Sequence, residues 1–551
     1  MAKFVPLETP SRLVRELAGR GYNAEKEAVT LLAGASDPAR ALEAAIEQTP
    51  ETALRLTAED ARAALETAAD PPVSTGTTTA SHPDDAATSP VETGGSGVVD
   101  GARASADAAD VTDQESVPDV PSRDGTVNSD GERAGAGGVE PAQAGDDSTD
   151  DQLVAVSGDI TGYSTGTGQY SDFVKTFRDR YERLSPMLKG RVNHRPTEAI
   201  QAMPGGSDAA MIGLVNDLRS TAGGHWLIEL EDTTGTFPCL VMSDREFASE
   251  VDEILMDECL AVEGTLADDG GILFVNSLYF PDVPRTHEPS TADRPVQAAL
   301  ISDIHVGSDE FMGGAWERFA EWLHTPEADR VEYLLIAGDM VEGVGVYPDQ
   351  DDELDIVDIY DQYEAFAERL KSVPGDLEIV LTPGNHDAVR LAEPQPGFDE
   401  QLRSIMDVHD ARIHGNPATV DIEGVSILMY HGVSLDEVIA ELPDEKASYD
   451  NPDRAMNQLL KKRHVAPQYG NHMRLAPENQ DYLVIEDVPD VFHTGHVHKL
   501  GWSKYHGVLS INSGCWQAQT DFQRSVNIDP DSGYAPILNL DTLEMTVRKF
   551  S

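Results

Sequence analysis

The sequence predicts a multidomain α/β protein: a small N-terminal helical module, a disordered acidic linker, an OB-like β-barrel and a C-terminal α/β sandwich. Three observations carry this. From Pro295 onward apolar strand-like runs alternate with amphipathic helical stretches. Between 186 and 285 short alternating strands are separated by Asp/Gly turns. From Pro71 to Asp150 there is no Leu, Ile or Met, so that stretch cannot bury enough surface to offset its ordering entropy.

Taken in order, "TPSRLVRELAGRGYNAEKEAVTLLAGA" places Leu13, Leu17, Val29 and Leu32 at helical spacings, with Thr9 or Ser11 as a cap, and predicts a helical module over 1–70. The linker spans 71–150. A connecting helix over 151–185 follows, with Phe173, Phe177, Tyr181 and Leu184 on one side. The runs "HWLIELEDTTGTFPCLVM" and "CLAVEGTLADDGGILFVNSLYF" suit a small closed barrel over 186–285. Barrels of this size hold single-stranded nucleic acid or serve as docking surfaces, and few aromatics are available here to stack bases. In the last region, 295–551, "VQAALI", "VEYLLIA", "LEIVLT" and "VSILMY" read as strands, and "GGAWERFAEWLHT" puts Trp316, Phe319, Ala320 and Leu323 on one helical face.

Composition bounds the function. With 98 acidic against 40 basic residues the formal charge is -58, spread along the chain, which fits a high-salt cytoplasm. At molar ionic strength the Debye length falls to about 3 Å, so such acidity does not exclude a polyanionic partner. The three cysteines form no C-x-x-C pair, which argues against a disulfide framework or zinc ribbon. No long apolar run is present, which predicts a soluble protein that does not engage a membrane.

Each apolar run of the last region ends in a metal-compatible group. "LISDIHVGS" supplies Asp303 and His305, "LLIAGDMVEG" Asp339, "VLTPGNHD" Asn385, His386 and Asp387, "LMYHG" His431, and "VFHTGHVH" His496 and His498. In open α/β sheets ligands collect at the carboxyl ends of strands, where such side chains share one crevice. Any one fragment alone is an ordinary turn or core histidine; five at the same structural position require a common cause. Seven nitrogen and oxygen donors exceed a single site and predict two divalent cations, with Asp339 able to bridge them. Imidazole, carboxylate and amide without thiolate favour manganese, iron or zinc over calcium. His493 precedes the turn and is expected to pack rather than ligate. The one basic run, Lys461, Lys462 and Arg463 followed by His464, is expected to touch DNA phosphate or a partner, or to be a solvated loop.

Asp-x-His, Gly-Asp, Gly-Asn-His-Asp, His and Gly-His-x-His in this order resemble the calcineurin-like metallophosphoesterase superfamily over about residues 295–551. The resemblance implies a two-sheet sandwich with a dinuclear centre. Asp303, His305, Asp339 and His498 would hold one ion and Asp339, Asn385, His431 and His496 the other. His386 would be the acid and Asp387 would orient an imidazole. With "GVGVYPDQ", "LLKKRHVAPQYG" and "INSGCWQAQTDFQ", the whole layout resembles the small subunits of archaeal family D DNA polymerases. That implies a 3′–5′ proofreading exonuclease with two cations, manganese foremost, acting on a DNA 3′ end beside a large catalytic subunit, and reaching a sliding clamp through the complex. An assembly subunit and a standalone phosphoesterase are the alternatives.

Overall fold

The computed structural model describes residues 154–551, apart from 165, 347–349, 471–472 and 526–527, together with short stretches between 23 and 65. The chain divides into two compact units, Met1–Ser148 and Thr149–Ser551.

In the first unit a helix spans Pro38–Gln48, and a short parallel pair joins Asn23–Ala24 to Arg55–Leu56. The module expected to be helical has that helix and also this strand pair, whose two-residue strands leave no periodic signal. A parallel pair needs a crossover connection, and the helix lies within it. Ala28, Leu32, Ala41, Leu42, Ala45 and Ala61 form its core. Leu13, Leu17 and the linker expected over 71–150 lie outside the described residues.

The second unit opens with strand β1 (Val154–Ser157) and helix α1 (Tyr170–Lys189). The stretch expected as one connecting helix over 151–185 is therefore two elements. β1 pairs antiparallel with a strand distant in sequence, Val156 opposite Val420, a partner that no local pattern announces. Leu184 and Leu188 of α1 pack on Ala210, Ile212 and Ala261 of the barrel. Helix α2 (Thr197–Gln201) follows.

The barrel closes from β2 (Asp208–Ser220), β3 (Trp226–Asp232), β4 (Gly235–Val241), β5 (Cys259–Leu266) and β6 (Leu273–Tyr279) in the order β2-β3-β4-β6-β5. Closure removes the free strand edges. Alternation is plain in β3, where Ile228 and Leu230 enter the core while Glu229 and Glu231 do not. At the next turn Asp232 accepts a hydrogen bond from the Thr234 amide at 2.7 Å, a turn chemistry typical of Asp.

The remainder contains two six-stranded sheets. The first has the order β10-β9-β8-β7-β16-β17, built from β7 (Gln297–Ile301), β8 (Val331–Ala337), β9 (Glu378–Thr382), β10 (Arg412–Ile413), β16 (Tyr534–Asn539) and β17 (Glu544–Lys549). The second has the order β14-β15-β13-β12-β11-β1, with β11 (Ala418–Ile422), β12 (Val425–Met429), β13 (Val491–Thr494), β14 (Leu500–Tyr505) and β15 (Val508–Ser513). β7 to β10 run parallel, as do β12, β13 and β15.

Alternation sorts the side chains into layers. Ala298, Leu300 and Leu335 meet Ile427, Met429 and Ile511 between the sheets. On the outer face of the first sheet, Ile301 and Ile336 pack with Trp316 and Phe319 of α3 (Gly313–Leu323) and Tyr363 and Phe366 of α4 (Ile359–Leu370); α5 (Glu400–Ile405) adds Leu402. Outside the second sheet, Leu428 and Phe492 pack with Val438 of α6 (Ser434–Glu441) and Leu459 of α7 (Pro452–Lys462). At about 25 cal/mol per Å², these continuous apolar layers dominate the stability of the unit.

The basic run at the end of α7 is mostly internal and not a solvated loop: Lys462, Arg463 and His464 are buried. Lys462 is fully buried and lies 3.0 Å from Glu258, Lys461 lies 2.8 Å from Glu253, and Arg463 donates to the Ile485 carbonyl at 2.8 Å. His464 meets Asp481 at 2.9 Å, and Asp481 also binds Arg180 at 2.7 Å. A buried charge requires a partner, and here the partners come from the barrel, α1 and the 481–486 segment. No described helix is long and apolar enough to cross a membrane.

Candidate metal centre

β7, β8, β9, β12 and β13 end at 301, 337, 382, 429 and 494. Asp303, Asp339, Asn385, His431 and His496 follow each within three residues. Parallel strands bring these ends to one rim, so the loops deliver their side chains to a single hollow. Asp303, His305, Asp339, His496 and His498 all have positive φ, between 52° and 71°. Such a backbone costs on the order of 1–3 kcal/mol per non-glycine residue and persists where surrounding structure enforces it. Glycines permit the crowding. A Cβ on Gly338 would overlap the His431 ring, and one on Gly495 would lie 2.5 Å from Ser302 Cβ and overlap the Asp303 carboxylate.

Two groups of donors result. In the first, His305 Nε2 and His498 Nε2 are 3.0 Å apart, and His498 Nε2 lies 3.5 Å from Asp303 Oδ1. In the second, His431 Nε2 lies 3.0 Å from Asn385 Oδ1 and 3.2 Å from Asp339 Oδ2, and His496 completes the set. The same Asp339 oxygen is 3.7 Å from His305 Nε2, so Asp339 stands between the two. The His431 Nδ1–H donates to the Ala337 carbonyl at 2.9 Å, leaving Nε2 to face the hollow.

The charge balance agrees with cation binding. Burial alone would lift the Asp339 carboxyl, yet the imidazoles of His431, His386 and His305 hold it well below its ordinary value. Burial would likewise strip the His431 proton, but the Asp339 and Asp303 carboxylates raise that imidazole to about 10. Carboxylates that stabilise an imidazolium in this hollow supply the negative charge a divalent cation would need, and the cation would displace that proton. The donor set is imidazole, carboxylate and amide, which fits manganese, iron or zinc.

His386 is half-buried on the rim. Its backbone N–H donates to Asp339 Oδ1 at 2.8 Å and its Nδ1 contacts the Glu342 carbonyl at 2.8 Å. The expectation that Asp387 orients an imidazole is corrected: its carboxylate accepts from Tyr363 Oη at 3.0 Å and from the Gly384 and Met340 amides at 2.8 and 3.3 Å. It ties the two loops together. Burial, then the Asp339 charge, pushes the Asp387 carboxyl up to about 7. His493 lies outside the donor groups, with Nε2 3.1 Å from Ser513 Oγ.

Glu342 was not anticipated. Its Oε2 lies 2.9 Å from His305 Nδ1 in ion-pair rather than linear hydrogen-bond geometry, and accepts from Gln517 at 2.8 Å. His305, Glu342 and His386 form a third group of clustered donors. The available signal was its place three residues after Asp339 in the same loop. Gln523, whose amide is 2.8 Å from His498 Nδ1, carried no such signal. Asp436 lies 3.1 Å from His496 Nε2.

Fold and site together define a barrel-bearing α/β sandwich protein with a histidine- and aspartate-lined crevice at its strand ends. Residues 298–500, which include all seven expected ligands, match the family model of the DNA polymerase alpha/epsilon B subunits. The chain is 59% identical over 547 residues to the DNA polymerase II small subunit of Halobacterium salinarum, covering 99% of this chain and 100% of that one. It is 44% identical over 383 residues to that of Archaeoglobus fulgidus (68% and 76% covered) and 38% over 401 residues to that of Methanothermobacter thermautotrophicus (71% and 82%). The chain belongs to this family, the small subunits of archaeal family D DNA polymerase.

Proposed function

We propose that this chain is a metal-dependent phosphodiesterase of the calcineurin-like type, a 3′–5′ exonuclease that trims DNA ends beside a large catalytic polymerase subunit. The observation that carries the reading is Asp339 standing between two donor groups, 3.7 Å from His305 Nε2 and 3.2 Å from His431 Nε2. Asp303, His305, Asp339 and His498 would hold one cation and Asp339, Asn385, His431 and His496 the other, with manganese the first candidate. A bound pair supplies Lewis acidity to phosphoryl oxygens and a lowered pKa to the attacking water.

The chain's own groups do the rest. The strand-end loops fix the scissile phosphate in the hollow. His386, with Nδ1 engaged by the Glu342 carbonyl, would deliver a proton from its ring to the departing 3′ oxygen. Glu342 sets the ring of His305, and Asp387 holds the Gly338–Met340 and Gly384 loops in register.

The test is manganese-dependent nucleotide release from 3′-labelled DNA, comparing the wild-type chain with an Asn385→Ala, His386→Ala double variant. The reading expects release by the wild type and a loss of at least about 100-fold in the variant. Absence of cleavage by the wild type, alone and with its large subunit, would leave the assembly role instead.

A further inference from the structure

The two donor groups contain four histidines, His305 and His498 in the first and His431 and His496 in the second. In three of them Nδ1 is the nitrogen engaged by a neighbour. It lies 2.9 Å from the Glu342 carboxylate in His305, 2.9 Å from the Ala337 carbonyl in His431 and 2.8 Å from the Gln523 amide in His498. All three neighbours are buried. His496 departs from this pattern. Its engaged nitrogen is Nε2, 3.1 Å from Asp436 Oδ2. The Asp436 side chain is 47% exposed and comes from the first turn of α6, not from a strand end.

The contact is supported from both sides. Asp436 Oδ1 accepts from Tyr449 Oη at 3.0 Å, and Tyr449 packs half-buried on the core outside the second sheet. The start of α6 is itself fixed, because the Ser434 amide donates to Tyr430 Oη at 3.0 Å and the Leu435 amide to the Gly432 carbonyl at 2.9 Å. Gly432, at a φ of 118°, runs against the ligand loop: a Cβ there would lie 3.1 Å from the Gly495 carbonyl and 3.4 Å from His496 Cβ. The His496 amide donates to the Asp303 carboxylate at 2.9 Å. Backbone and helix end are thus set, and the ring is what remains to be oriented.

A histidine that binds a cation does so as a neutral ring, through the nitrogen that carries no proton. A carboxylate accepts and does not donate, so a neutral His496 beside Asp436 keeps its proton on Nε2 and its lone pair on Nδ1. We propose that Asp436 is a positioning residue: it holds the His496 proton on Nε2 and so makes Nδ1 the nitrogen offered to the second cation, with Tyr449 holding Asp436 in turn. This inference rests on the two-cation reading above and deepens it by naming which atom of His496 ligates and what fixes it.

The experiment is a manganese titration of the full chain, with thermal unfolding of the metal-free protein alongside. The wild type should bind two equivalents. Asp436→Ala should weaken one of them by about 10- to 100-fold and leave the other, and the unfolding midpoint, unchanged. Asp436→Asn, whose amide oxygen still accepts from Nε2–H, should recover most of that loss, and Tyr449→Phe should show a smaller loss in a single equivalent. In an Asn385→Ala background, which removes a ligand of the second group, adding Asp436→Ala should leave the remaining equivalent as it was. Equal weakening of both equivalents, weakening of neither, or a loss in Asp436→Asn as large as in Asp436→Ala overturns the proposal. Should Asp436→Ala fail to fold, Tyr449→Phe decides by the same criterion: a loss confined to one equivalent supports the proposal and any other result overturns it. A wild type that binds fewer than two equivalents defeats the two-cation reading itself and is told apart by that measurement alone.

Discussion

His305 and His498 face each other through their Nε2 atoms at 3.0 Å, although 193 positions separate them in the chain. Two imidazoles presenting the same nitrogen to one point suit a shared electrophile better than each other, and Asp303 lies within 3.9 Å of both. The backbone at all three residues is held at positive φ. These three residues define the first donor group.

Replacing Glu342 by Gln removes the charge 2.9 Å from His305 Nδ1. Partners of ligand histidines typically contribute 10–100-fold to metal affinity or activity. Manganese titration of Glu342→Gln should show weakening by about that factor, with the fold intact.

His386 stands on the rim, outside the two donor groups that share Asp339. His386→Ala should keep its metal content and lower turnover by roughly 100- to 10,000-fold. A comparable loss of bound metal would make it a ligand instead of an acid.

Gly495→Ala places a methyl group against Ser302 Cβ at 2.5 Å and into the Asp303 carboxylate. Asp303 must shift, so metal binding should fall at least about tenfold. Equilibrium dialysis with manganese reads this directly.

Glu253 joins the barrel to the end of α7. Burial would raise its carboxyl, but hydrogen bonds from Lys446 and Lys461 win and lower it from 4.5 to about 2. The folded value lies below the unfolded one, so the unfolded chain takes up protons first as pH falls. The stability this carboxylate contributes is complete above 4.5 and is lost as pH drops toward 2, an effect of about 2 kcal/mol. Urea unfolding at pH 6 and pH 3 should show a shallower acid loss in Glu253→Gln than in the wild type.

Much of the site could be read directly because each fragment is local: a run such as "LLIAGD" gives strand and ligand together, and parallel strands deliver their ends to one rim. What depended on distant partners was not readable. β1 joins the second sheet only because Val420 offers it an edge. Lys462 looks like surface basicity until Glu258, some two hundred positions earlier, is placed beside it. Asp387 sits next to two site residues, yet Tyr363 and two amides take its carboxylate. Glu342 is close to Asp339 in sequence, but its role depends on where the His305 ring turns.

The most direct test is the manganese stoichiometry of the purified full-length chain, wild type against Asp339→Asn, by titration with elemental analysis of the dialysed complex. With Asp339 shared by both donor groups, the wild type should bind two equivalents and Asp339→Asn should weaken both. A single equivalent in the wild type, or two tight equivalents that survive Asp339→Asn, would contradict the shared centre.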